Sequence, residues 1–172
     1  MREQEVGKLI GKYNCEIGYE IGVSGGHTYK HVLGTCKKLK EWHGVDIWEP
    51  SEGYEVRPNG VEWNHEGNYK KVVKIAEQYK NKAFIHRMTS EEASKEVEDE
   101  SIDIVFIDAD HSYEGVKNDI IHWAPKVKSG GVICGHDYGL DRFPGVKKAV
   151  LEFFDEELIQ VESDNVWWIE KA

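Results

Sequence analysis

SIDIVFIDADHSYEG, residues 101–115, decides the fold. Ile102 to Ile107 is a short β-branched and aromatic run with one Asp inside it, the pattern of a strand buried on both faces of a parallel sheet. Polarity then inverts at once to Asp108, Asp110 and His111. Open α/β sheets bind ligands just beyond the carboxyl ends of their strands, so this cluster falls where chemistry is expected. Tyr113, Val116, Ile120, Trp123 and Ala124 follow at helical spacing. The stretch is one strand–loop–helix unit with its functional loop marked.

The same unit repeats outward in both directions. Upstream, Val6, Leu9, Ile10 and Tyr13 predict a helix over 3–13, and residues 15–23 a first strand. A helix from His27 to about Lys40 carries Tyr29, Val32, Leu33, Cys36 and Leu39 on one face. Residues 44–48 and 83–86 read as further strands, with a helix carrying Tyr69, Val72, Val73, Ala76 and Tyr79 between them. Residues 49–66 show no period and are broken by Pro50, Gly53, Pro58, Asn59 and Gly60, so they are expected to be a lid or substrate loop, flanked by Trp48, Tyr54 and Trp63. Thr89 and Ser90 open a short helix.

Downstream, Ser129–Gly131 is expected to end the helix of the central unit. Residues 132–135 form a fifth strand, ending in His136 and Asp137. Pro144 opens a helix whose buried face is Val146, Ala149, Val150, Phe153 and Phe154. The tail reads as two strands around a turn at 163–165, with at most one of Trp167 and Trp168 facing the core. This alternation predicts an α/β fold: one domain over 1–172, a Rossmann-like doubly wound, mostly parallel sheet, and an antiparallel C-terminal hairpin strand at one edge.

The net charge of -10 argues against a nucleic-acid backbone as partner, and 40% apolar residues suffice for a sizeable core. No run approaches the roughly 20 apolar residues of a membrane span, and residues 1–14 lack the apolar centre of a signal peptide. Three separated cysteines, Cys15, Cys36 and Cys134, fit buried thiols in a reducing, cytoplasmic setting.

Residues 20–28, EIGVSGGHT, follow the first strand and open the first helix. Glycines there let backbone approach a ligand, and the helix start offers N–H groups to a negative one. Gly22, Gly25 and Gly26 miss the GxGxxG spacing, which disfavours a dinucleotide. A ligand bearing both a carboxylate and an ammonium fits better, with Glu20 facing the ammonium; the competing reading is a tight turn beside a surface Glu. Asp46 ends the second strand, where an acid can accept from ribose hydroxyls, or can be an ordinary exposed Asp.

EIGVSGGHT, VDIW, SIDIVFIDADHSYEGVKNDIIHWAPKVKSGGVICGHDY and FPGVKKAVLEFF together resemble class I S-adenosylmethionine-dependent methyltransferases. The likeness runs from about Cys15 to Phe154 and is greatest to the small group with IDADHxYE and GHDY motifs, related to macrocin-type metal-dependent O-methyltransferases. The resemblance implies a seven-stranded sheet. It implies a cofactor site of Glu20, Gly22, Ser24, Gly26, Asp46, Ser90 and Asp108, with Ser90 near the adenine; Ser90 fits a helix cap equally well. It also implies that Asp108 and Asp137 hold Mg²⁺ or Mn²⁺, with His136 standing where relatives carry an acid, which widens the choice to Fe²⁺ or Zn²⁺. His111, three residues after Asp108, matches the relatives' general base, with Asp108 beside it as the second catalytic residue; the alternative is a helix-capping histidine. Asp110 is either a ligand or a group orienting His111.

The expected reaction is metal-assisted O-methylation of a small hydroxylated acceptor, in a protein that is a homo-oligomer if a second copy completes the acceptor site. The competing readings are a nucleotide-dependent oxidoreductase, a metal-dependent hydrolase, and a cofactor-binding module without turnover.

Overall fold

The structure is a computed structural model that describes residues 1–50 and 63–172. The expected lid, with Tyr54, lies outside the described residues apart from its two ends.

Seven strands form one sheet: β1 (Ile17–Ile21), β2 (Glu41–Asp46), β3 (Ala83–Arg87), β4 (Ile102–Ile107), β5 (Val127–Gly135), β6 (Gln160–Val161) and β7 (Trp167–Glu170). Their order is β3-β2-β1-β4-β5-β7-β6. The first five are parallel, and β7 runs antiparallel to both β5 and β6. Among the described residues six α-helices cover it: α1 (Arg2–Lys12), α2 (His27–Thr35), α3 (His65–Gln78), α4 (Ser90–Lys95), α5 (Tyr113–Trp123) and α6 (Pro144–Phe153). The Rossmann-like, doubly wound α/β architecture expected from the sequence is the one observed.

Strand side chains alternate between two cores. Ile104 and Phe106 of β4, with Trp42, Val132 and Trp168, pack under α1, α2 and α3. Val105 and Ile107, with Tyr19, Ile133, Trp167 and Ile169, pack under α4, α5 and α6. β7 lies inside the sheet, so both of its tryptophans are buried, at 1% and 9% exposure, which corrects the expectation of one core-facing Trp.

The helices begin where local chemistry provides for their free N–H groups. Thr89 and Glu92 form a reciprocal capping box on α4, Ser112 accepts from Gly115 N–H on α5, and Asn64 accepts from Gly67 N–H on α3. α2 stops at Thr35, five residues short of the expected end, with Cys36 extended and only half-buried. Lys40 and Glu41 N–H both donate to Glu16 C=O, which draws the chain into β2 three residues early. Leu39 is still buried, but outside the helix.

Ser129–Gly131 does not cap α5. That helix ends at Trp123 in a short 3-10 turn, and the segment instead bulges β5, held by Gly130 N–H to Lys171 C=O and Lys171 N–H to Gly131 C=O.

Asp119 of α5 is buried and accepts from Ser90 Oγ, which in turn accepts from Trp123 Nε1. Burial pushes its carboxyl up to about 7 against the Ser90 hydrogen bond. The folded state therefore keeps a proton that the unfolded chain sheds near pH 4, so Asp119 makes stability fall between about pH 4 and 7. Asp119→Asn removes that fall. Denaturant unfolding should show the variant gaining on the parent from pH 5 to pH 8; a pH-independent difference would refute the assignment.

Gly18 is the tightest point of the sheet. A Cβ there would lie 2.4 Å from the Trp42 ring and 2.6 Å from Ile104 Cγ2. Gly18→Ala should cost about 1–3 kcal/mol of unfolding free energy, as overpacking does.

Candidate active site

β1 and β4 are neighbours in the sheet, and the helices after them leave on opposite faces. Their carboxyl ends form the switch point where such sheets bind ligands. Gly22, at φ +89°, closes the gap: a Cβ there would lie 2.3 Å from Asp108 C=O. Asp108 N–H donates to Ile21 C=O, and Gly22 N–H to Val45 C=O, so three strand ends are bound together.

Asp108, His111 and Asp137 each offer a donor atom within 4.8 Å of the others. His111 Nε2 lies 2.8 Å from Asp137 Oδ2 and 3.4 Å from Asp108 Oδ1, and its ring stacks on Phe143 at 4.4 Å. His136 Nδ1 lies 3.2 Å from Asp137 Oδ2 and 3.5 Å from Asp108 Oδ1, and neither of its ring nitrogens makes a well-directed hydrogen bond to a described residue. Arg2 pairs with Asp108 Oδ2 at 3.1 Å, and Arg142 reaches Asp137 Oδ1 at 3.5 Å.

Burial alone would raise both carboxyls. The hydrogen bonds and charges around them outweigh it, and Asp108 and Asp137 both sit below the usual carboxylate range. Burial likewise opposes charge on His136, but the two carboxylates raise it to about 9. The set thus keeps two buried anions by surrounding them with cationic donors.

Glu20 is buried beneath the glycine loop and accepts from Trp42 Nε1 at 3.0 Å. Burial pushes its carboxyl up to about 8, with Asp108 adding to the rise and Arg2 opposing it. The surface-Glu reading is thereby excluded. Asp46 is not a free acid either: Oδ2 accepts from Val23 and Ser24 N–H, and Oδ1 from Trp48 N–H. It staples the glycine loop to β2, and Trp48 Nε1 adds a bond to Ser24 C=O. Gly26, at φ +78°, starts α2.

Ser90 occupies the first turn of α4, with Thr89 as the cap, and its hydroxyl is spent on Asp119 and Trp123. The capping reading of Ser90 is therefore replaced by an inter-helix bond. His111 is not a cap, since Ser112 has that role. Asp110 accepts from both N–H and Oγ of Ser112, which shapes the loop that carries His111.

Arg2, Trp42 and Arg142 were missed by sequence reasoning. Trp42 fell between the helix expected to about Lys40 and the strand expected from Gly44, and Arg2 lies on a helix far from the motif in sequence. Only tertiary contact reveals either one.

Ser24, Trp48 and Asp137 all have positive φ and all follow strand ends at this site. Non-glycine residues held there signal a site whose geometry is enforced by its surroundings.

Residues 19–138 match the methyltransferase domain family. An uncharacterised protein of Sinorhizobium fredii is 31% identical over 121 residues, 69% of this chain; the chain spans 12% of that protein's length. Among solved structures, an O-methyltransferase of Bacillus cereus in complex with S-adenosylhomocysteine superposes with a TM-score of 0.66 at 12% identity, covering 99% of this chain and 80% of that one. A TDP-rhamnose 3'-O-methyltransferase of calicheamicin biosynthesis does so with a TM-score of 0.71 at 12% identity, covering 98% and 78%. No described helix is long and apolar enough to cross a membrane. The family match embraces the glycine loop, Asp46, the Asp108–His111 loop and Asp137, so the chain belongs to the methyltransferase domain family.

Proposed function

We propose that the chain transfers a methyl group to a hydroxyl of a small acceptor, with a divalent metal assisting. The observation that carries this reading is the buried group of Asp108, His111 and Asp137 at the switch point. The Asp108 and Asp137 carboxylates and the His136 imidazole, at 3.2–3.5 Å separations, suit an ion such as Mn²⁺ or Mg²⁺, whose adjacent ligands lie about 3 Å apart, and leave His111 for the proton. His136, neither of whose ring nitrogens makes a well-directed hydrogen bond to a described residue, would supply that imidazole. The neighbour named for a sugar 3'-hydroxyl supports oxygen as the acceptor atom.

When bound, S-adenosylmethionine supplies a methyl already activated on its sulfonium, and a divalent ion would lower the pKa of the acceptor hydroxyl. The chain's own tasks are alignment and proton removal. The chain's residues would align the acceptor oxygen with that methyl, and His111 would take the hydroxyl proton as the methyl passes to the oxygen. Asp137 holds His111 at 2.8 Å, and the Phe143 ring fixes its plane. Glu20 would provide a buried acceptor for the cofactor's ammonium, and the loop from Gly22 to Gly26 would hold its carboxylate end. Asp46 keeps that loop in place and has lone pairs left for the ribose.

Calorimetric titration of S-adenosylhomocysteine should give a dissociation constant on the order of micromolar, about -8 kcal/mol. Glu20→Ala should weaken it, and absence of binding to the parent protein would sink the reading. With a panel of sugar and catechol hydroxyl acceptors, His111→Ala should lower kcat by about 10²–10⁴ while leaving S-adenosylhomocysteine affinity unchanged. Equal loss of cofactor affinity would instead assign His111 to the cofactor site.

A further inference from the structure

Arg2 opens α1, yet its guanidinium contacts the centre of the site. Nη1 lies 3.1 Å from Asp108 Oδ2, while Asp108 Oδ1 faces His111 and His136. The backbone N–H of Arg2 donates to Asp164 Oδ2 at 2.7 Å, and that same oxygen lies 3.9 Å from His136 Nε2. One turn further on, Ser163 Oγ donates to Glu5 Oε1. The first turn of α1 is thus fastened, by backbone and side chain, to the groups around the candidate metal donors.

Val6, Leu9 and Ile10 bury the rest of α1 against the sheet, so the helix is held without Arg2. The ion pair is not needed for docking, and its charge acts on Asp108 instead. A carboxylate only 6% exposed requires a counter-cation, and Arg2, itself 35% exposed, supplies one from the solvent side.

A dication on Oδ1 would place two positive charges within a few ångströms of that guanidinium. Repulsion at such a range in a partly buried site outweighs the benefit of holding one carboxylate rotamer. We propose that Arg2 is the resident counter-cation of Asp108 and opposes divalent metal binding there, so that the metal displaces the guanidinium and loosens the first turn of α1. This rests on the metal-assisted reading.

The test is calorimetric titration of Mn²⁺ alone, at pH 7.5, into the full chain and three variants. Arg2→Gln should bind Mn²⁺ about tenfold more tightly than the parent, Arg2→Lys should stay near the parent, and Asp108→Asn should lose the site. Mn²⁺ should also speed hydrogen exchange in residues 2–6 of the parent. Equal or weaker binding by Arg2→Gln, with binding still lost in Asp108→Asn, overturns the proposal and leaves the metal reading intact. No Mn²⁺ binding by the parent or by Arg2→Gln overturns both. A lowered melting temperature in Arg2→Gln with unchanged affinity would assign Arg2 a structural role and also overturn the proposal.

Discussion

β1 and β4 lie side by side and parallel, and their helices must leave on opposite faces of the sheet. Right-handed crossovers permit no other way to build outward from such a pair. The divergence opens a crevice above the two carboxyl ends, and the remaining geometry follows from how tightly that crevice is drawn. Gly22 touches the Asp108 backbone, which only a residue without Cβ can do at φ +89°. The glycine loop, Asp46 and the Asp108 loop are therefore one bonded unit rather than three adjacent features.

Electrostatics imposes the second condition. Asp108 and Asp137 are held ionised in a place where burial opposes charge, which requires donors on several sides. Those donors come from α1, from the β4–α5 loop, and from the loop after β5. Glu20, a few residues away in space, has too few such partners and is pushed the other way. Neighbouring acids in one site thus have opposed proton affinities, set by how many donors reach each.

Much of this was legible in the chain. The apolar run Ile102–Ile107 and the abrupt change at Asp108 announce a buried strand and its functional end, because a strand covered on both faces leaves polar residues nowhere else to go. Asp108, His111 and Asp137 could be grouped because they follow strands that alternation makes neighbours. The ends of elements were less legible. α2 stops early and β2 starts early because of hydrogen bonds to Glu16, a partner more than 20 residues away. The glycines at 130 and 131 mark a bulge rather than a cap, and that choice depends on Lys171. Trp167 and Trp168 are both buried because β7 inserts between β5 and β6, which no local pattern encodes.

Residue type and spacing by themselves determined the fold class, the strand whose end carries the acidic cluster, the glycine loop and the acids that lie near it. These are consequences of periodicity and of the rule that sheets bind ligands at strand ends. Only the tertiary structure decided how each acid is used: Asp46 as a staple, Asp110 as a loop former, Glu20 as a buried carboxyl raised toward 8, and Asp108 as the partner of Arg2. A carboxylate's role depends on which donors reach it and how much water remains, and both are set by residues distant in sequence.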